Sequence, residues 1–338
     1  MNANLHPPFR GWSRAEESQK HGSGGENTPR LGLVLSSGGS RGIAHAGVIQ
    51  VLEENDIPIA AVAGCSMGAY VGALWAAGLD GKALEQRARE IKDRATFKKL
   101  LDFIVPPSAG LIRGEKIRQH LERDLGTKTF EELERELIIV ATDLDRLMPH
   151  VFDRGRVSTA VHASAAIPAI CAPVHLDGRR FTDGGASEPL PVGLLKQHCH
   201  VDRVIAVNVM PAPHDFEAGH DAAFGGRSQA PLHPLGRLLK RLWHQVNLLA
   251  EGNVLDTFRR ALMAAQLRLI VKEEAAADVV IHPRFTASNW HDFENFGRYL
   301  QAGREAATAA LPAIRELLSQ PTNPPLARHE TRLEHHTS

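Results

Sequence analysis

Between Ile57 and Leu79 the chain carries no charged residue over 23 positions, a run long enough to cross a bilayer. Yet Pro58, Gly64, Ser66, Gly68, Gly72 and Gly78 interrupt it. A buried strand, a tight turn and a buried helix explain both the apolarity and the interruptions, and that is the reading adopted. It places the pentapeptide Gly64-Cys65-Ser66-Met67-Gly68 at a strand-to-helix turn, where a G-x-S-x-G sequence forms a nucleophile elbow. Such a turn crowds the backbone, so residues without Cβ flank the serine. Ser66 then stands at a helix N-terminus, which favours developing negative charge. Cys65 is expected to be a packed side chain, because the elbow exposes its central residue and not its neighbour.

The surrounding pattern sets the fold class. Strand-like runs are predicted at Leu31–Ser36, Pro58–Ala63, Leu137–Thr142, Arg180–Thr182, Val204–Val209 and Val279–His282, with helices at Ile43–Asn55 and Met67–Ala77. Strands separated by helices imply an α/β fold with a largely parallel sheet flanked by helices. Residues 29–319 read as one domain, and the polar segments 1–28 and 320–338 as disordered tails. Residues 211–234, dense in Pro, Gly and His, read as a flexible insertion within that domain. The following stretch 235–250 is amphipathic at helical spacing, with Arg237, Lys240, Arg241 and Trp243 beside an apolar face. It can either pack on its own domain or lie in a membrane interface.

Composition excludes several function classes. With 39 basic and 39 acidic residues and no long basic block, nucleic acid is not an expected partner. Three scattered cysteines make neither a disulfide scaffold nor a zinc site and suit a reducing compartment. No secretory signal, calcium loop or metal motif is evident, so the expectation is a cytoplasmic protein without a cofactor, peripheral at the inner membrane surface at most.

Two further motifs bear on chemistry. Ser37-Gly38-Gly39-Ser40-Arg41-Gly42 follows the first strand and opens the first helix, where glycines let backbone N–H groups face an anion. It lacks the lysine of a phosphate loop and the spacing of a dinucleotide fingerprint, so an oxyanion site beside the elbow is the better reading. Phe181-Thr182-Asp183-Gly184-Gly185 holds a carboxylate on a tight turn. Alone it is a turn aspartate; beside a serine that needs a base, it is a candidate for that role. A Ser–His–Asp triad is the rival, with His198, His200 or His282 available, although none sits in a supporting motif.

The order of these parts resembles the patatin-like phospholipases. Besides the glycine loop, Arg41, His45, Gly47, the elbow and Asp-Gly-Gly, the resemblance takes in Ala163–Pro168 and Glu188-Pro189-Leu190-Pro191. It covers residues 31–210, more weakly to about 315. It implies a three-layer fold and a lipid acyl hydrolase of the phospholipase A, lysophospholipase or esterase type. It also implies a Ser66–Asp183 dyad, an oxyanion hole at Gly38 and Gly39, and a lipid ester substrate. Transacylation, or a regulatory or scaffold role with little turnover, is the alternative. Arg41 is a candidate for binding a phosphate head group, or else for capping the loop, and His45 reads as structural. The chain departs from the family at Ser37, where a third glycine is usual, and at Glu188, often Asn.

Overall fold

Leu31–Leu35 (β1) is buried at every position, as a strand covered on both faces must be. It pairs in parallel with Ile59–Cys65 (β2) on one side and Arg203–Val207 (β7) on the other. β2 continues to Glu136–Asp143 (β3), and β7 to Val279–Ile281 (β8), both in parallel. Met148–Phe152 (β4) and Arg179–Asp183 (β6) run antiparallel to β3, and Val174–Leu176 (β5) antiparallel to β6. The sheet has eight strands in the order β5-β6-β3-β2-β1-β7-β8, with β4 on β3. The computed structural model describes residues 28–92, 99–106, 109–211, 254–285 and 292–320, apart from the side chains of 255 and 256.

Alternation along the strands sorts two cores. Leu31, Leu33, Leu35, Val62 and Ile139 face one side. There they meet Ala44–Glu54 (α1), Met67–Ala76 (α2), Gly81–Ile91 (α3), Glu115–Leu125 (α4), Val157–Ser164 (α5) and Phe296–Ser319 (α8). Val34, Ala61, Ala63 and Ala206 face the other side, against Val192–His198 (α6) and Val254–Ala276 (α7). Helix, sheet and helix make three layers, the α/β architecture expected from the strand spacing. The uncharged run resolves into β2, the Ser66 turn and α2. Among the described residues no helix is long and apolar enough to cross a membrane.

Each of the six predicted strands and both predicted helices is present, with ends shifted by one or two residues. β4 and β5 were not predicted. β4 is only partly buried and contains Pro149, and β5 has three residues, so neither offers a strong apolar run. Both tails, most of the insertion expected at 211–234, and the amphipathic stretch 235–250 lie outside the described residues.

The strand ends position the site. β4 occupies one edge of β3 along residues 139–143, so β2 and β6 must share the other edge. They meet there end to end, with Cys65 opposite Val140 and Asp183 opposite Ala141, on adjacent rungs. Tyr299 anchors α8: fully buried, its ring lies edge-on to Phe285 at 5.2 Å and its hydroxyl donates to Asp292. Tyr299→Ala is expected to remove about 3–5 kcal/mol of unfolding free energy, as large-to-small core changes do, measured by denaturant titration.

Candidate active site

Ser66 follows β2 and caps α2 with φ 54° and ψ −118°, a backbone conformation in which L residues are strained. The elbow is held from several sides. The Ser66 N–H donates to Ser164 Oγ at 2.8 Å, and Ser164 Oγ donates to the Val140 carbonyl at 2.6 Å. Gly68 lies against β1 so closely that a β-carbon there would stand 2.2 Å from the Leu35 carbonyl oxygen. The G-x-S-x-G glycine is thus a requirement of packing against the neighbouring strand.

Ser66 Oγ donates to Asp183 Oδ2 at 2.5 Å, a short contact of the charge-assisted kind. The other carboxylate oxygen accepts the Gly185 N–H at 2.7 Å, so the Asp-Gly-Gly turn aims the side chain. Its backbone is fixed as well. Asp183 N donates to the Ala166 carbonyl, Thr182 Oγ1 to the same carbonyl, and Thr142 Oγ1 to the Asp183 carbonyl. Both Ser66 and Asp183 are 6% exposed. Burial raises the Asp183 carboxyl to about 6, against the opposing pull of the Ser66 hydroxyl and the Gly185 N–H.

The glycine loop passes beside them. Ser37 does not take positive φ; the left-handed residue is Gly39, at φ 59°, so the departure at Ser37 introduces no strain. Ser36 anchors the loop, since its Oγ donates to the Ser37 carbonyl and accepts the Val209 N–H. Ser37 N donates to the Pro189 carbonyl. His45, fully buried in α1, holds the Ser36 carbonyl at 3.0 Å from Nε2, while its Nδ1 has no partner among the described residues. Burial depresses its pKa to about 4, so the ring is neutral and Nε2 is the donor. Among the described residues, neither the Gly38 nor the Gly39 N–H meets an acceptor outside the short helix Gly39–Ile43.

The remaining candidates are placed elsewhere. Arg41 is 4% exposed and its charge bears on the Tyr299 phenol, an environment suited to holding the loop from beneath. Cys65 is fully buried and its thiol is pushed well up by burial first and by Asp183 and Glu188 second, which leaves it inert. His198 contacts the Leu194 carbonyl and His282 the Met210 carbonyl, so neither completes a triad with Ser66. A cavity of about 430 Å³ lined by Arg113, His162, Val174 and His175 opens on the flank of α5; Ser66 and Asp183 do not line it. Ser164 and Thr142 had no assigned role in the sequence, although Ser164 lies in the Ala163–Pro168 block.

The sequence profile described as patatin-like phospholipase matches residues 33–196, a span that includes the glycine loop, Ser66 and Asp183. That match takes in just under half of the chain, and over it the sequence is similar to the patatin-like phospholipases. An NTE family protein of Mycobacterium tuberculosis is 41% identical over 191 residues, 55% of this chain and 50% of that protein. A second from the same species is 32% identical over 292 residues, 85% of this chain and 47% of that protein. A lysophospholipase of Emericella nidulans is 30% identical over 198 residues, 58% of this chain and 13% of that protein. The chain thus spans about half the length, or less, of these relatives. Among solved structures, VipD from Legionella pneumophila has a TM-score of 0.44 at 13% identity, covering 86% of this chain and 67% of that one.

Glu188 is raised to about 7 by burial and then by Glu273, with Lys272 opposing. A carboxyl raised above its ordinary 4.5 favours the folded state only while protonated. That stability is complete below about pH 4.5 and is lost as pH rises towards 7. Glu188→Gln is therefore expected to gain stability relative to the wild type across that window and to keep a constant advantage above it. Paired denaturant titrations from pH 4.5 to 8 would show a flat difference if Glu188 did not titrate there.

Proposed function

We propose that this chain is a serine lipid acyl hydrolase that cleaves carboxylic esters through Ser66 and Asp183. The observation that carries the reading is the buried 2.5 Å contact from Ser66 Oγ to Asp183 Oδ2 at a strained strand-to-helix turn. The match of residues 33–196 to the patatin-like phospholipase profile supports a lipid ester as the substrate class, of the phospholipase A, lysophospholipase or esterase type. The intact serine–carboxylate contact favours turnover over a regulatory or scaffold role.

The reaction is acyl transfer. As Ser66 Oγ bonds to the ester carbonyl carbon, its proton passes to Asp183 Oδ2. The carbonyl oxygen becomes an oxyanion, for which the uncommitted Gly38 and Gly39 N–H groups and the N-terminus of α2 are the candidate donors. Collapse of the tetrahedral intermediate breaks the ester C–O bond, and the leaving alcohol takes the proton from Asp183. Water then adds to the acyl-enzyme carbonyl, giving a proton to Asp183. The second collapse releases the carboxylic acid and returns that proton to Ser66. An alcohol in place of water would make the same cycle a transacylation.

Burial is what fits an aspartate to this role. A carboxylate at its ordinary 3.8 is a poor base for an alcohol; raised to about 6, it is closer to the working pH yet still ionised at neutrality. No metal is required, because proton transfer and oxyanion stabilisation both come from groups of the chain.

A fluorophosphonate probe should label the wild type and fail to label Ser66→Ala, and Asp183→Asn should lose on the order of a thousand-fold or more in ester turnover. Turnover surviving in either variant at wild-type rate would exclude the dyad. Because Asp183 must be ionised to act, kcat/KM for a soluble ester should fall as pH drops through about 6. An acidic limb at the ordinary aspartate value of 3.8 would contradict this account of the base.

A further inference from the structure

The turn joining β3 to β4 breaks two local rules together. Leu147 sits at φ 56°, in the left-handed region that glycine and asparagine normally fill in a hairpin, and 82% of it is exposed. Met148 beside it is 51% exposed. A strained backbone under an exposed leucine costs free energy twice over, and glycine at that position would avoid both costs.

The turn is nevertheless rigidly built. Leu147 N donates to the Asp143 carbonyl at 2.8 Å, and Asp143 Oδ1 accepts the Asp145 and Arg146 N–H groups at 2.9 and 3.1 Å. Arg179 bonds the other oxygen of Asp143 at 3.1 Å. Leu144 N donates to the Arg180 carbonyl, while Asp145 accepts the Arg180 backbone N–H and its guanidinium. Asp143 is fully buried, and its carboxyl is held below its ordinary value because these donors outweigh burial. The backbone is thus over-determined, and it presents Arg146, Leu147 and Met148 outward in a fixed geometry. The Arg179 and Arg180 guanidinium groups are paired with Asp143 and Asp145, whereas the exposed Arg146 guanidinium makes no ion pair among the described residues.

Position adds the third observation. β3 lies beside β2, with Val140 opposite Cys65, and Asp183 lies opposite Ala141. The hairpin leaves β3 at Asp143, two residues past the level of Ser66, which at about 3.3 Å per residue is about 7 Å beyond it at the same end of the sheet. We infer that the β3–β4 tip, Arg146-Leu147-Met148, docks this end of the sheet on an anionic lipid surface.

Two unbranched or γ-branched aliphatic side chains with one uncommitted cation match such a surface: the apolar pair enters the acyl boundary and the guanidinium meets phosphate. The inference rests on the lipid-ester reading, since it brings the Ser66 end of the sheet to where such esters are held. It uses residues distinct from Ser66 and Asp183 and from the amphipathic stretch 235–250.

The test uses the full chain in a Ser66→Ala background, so that lipids are not consumed, and vesicles of phosphatidylcholine with and without phosphatidylglycerol. Leu147→Asp/Met148→Asp should weaken binding to the anionic vesicles at least about ten-fold, the scale expected for two apolar side chains kept in water. Arg146→Glu should weaken binding only where phosphatidylglycerol is present. Leu147→Gly should melt at or above the wild-type temperature, its strain relieved, and yet bind vesicles less well. In the Ser66 background, all three should hydrolyse a soluble short-chain ester at the wild-type rate. Wild-type failure to bind anionic vesicles, or equal binding by the double variant, overturns the inference and leaves the tip as a contact for another protein. Soluble-ester turnover that survives Ser66→Ala overturns the Ser66–Asp183 reading instead, and the vesicle result stands apart from it.

Discussion

The arrangement depends on one edge of β3. β2 arrives parallel and stops at Cys65; β6 arrives antiparallel and stops at Asp183; the two abut along the same edge on adjacent rungs. Ladder hydrogen bonds fix strand positions more tightly than any loop could, so the distance between Ser66 and Asp183 is set by backbone register. The side chains that brace the junction bind to its backbone and not to one another. Ser164 spans the Ser66 N–H and the Val140 carbonyl, and Thr142 holds the Asp183 carbonyl. A short hydrogen bond between two buried side chains survives only under such constraint, because each would otherwise be better solvated in water.

Electrostatics follow from the same geometry. Asp143 and Asp183 are both buried at the edges of β3, yet their carboxyls shift in opposite directions. Burial raises both. At Asp143 two backbone N–H groups and Arg179 more than offset it, producing a stable anion that builds a turn. At Asp183 the offsetting donors are the Ser66 hydroxyl and one backbone N–H, with no cation beside it among the described residues, and the group stays high enough to exchange a proton near neutrality. The difference between a structural and a reactive carboxylate is the number and charge of its donors. His45 belongs to the same economy of buried polar groups: it remains neutral, gives its proton to the Ser36 carbonyl and so stiffens the loop that carries Gly38 and Gly39.

Backbone strain occurs at both places argued to act. Of the five non-glycine residues at positive φ among the described residues, Ser66 and Leu147 lie at the same end of the sheet, the first held through its N–H by Ser164 Oγ and the second through its N–H by the Asp143 carbonyl. One turns a hydroxyl toward a carboxylate, and the other turns an aliphatic side chain toward solvent. Local conformational preference is overruled at each by tertiary contacts, the situation expected where structure serves a site.

The sequence by itself determined the alternation of strand and helix, the elbow at Ser66, the Asp-Gly-Gly turn and the glycine loop. These rest on short-range rules: apolar periodicity, the absence of Cβ where chains crowd, and fixed motif spacing. It could not pair strands. Nothing in the residues between 137 and 183 says that β4 takes one edge of β3 and leaves the other to β2 and β6, since pairing is a contest among edges that only the folded sheet resolves. For the same reason the roles of Ser164 and Thr142, the raised carboxyls of Asp183 and Glu188, and the outward tip at Leu147 were illegible. Each follows from burial and donors contributed by segments distant in sequence, and tertiary structure alone decides which groups share a dry space.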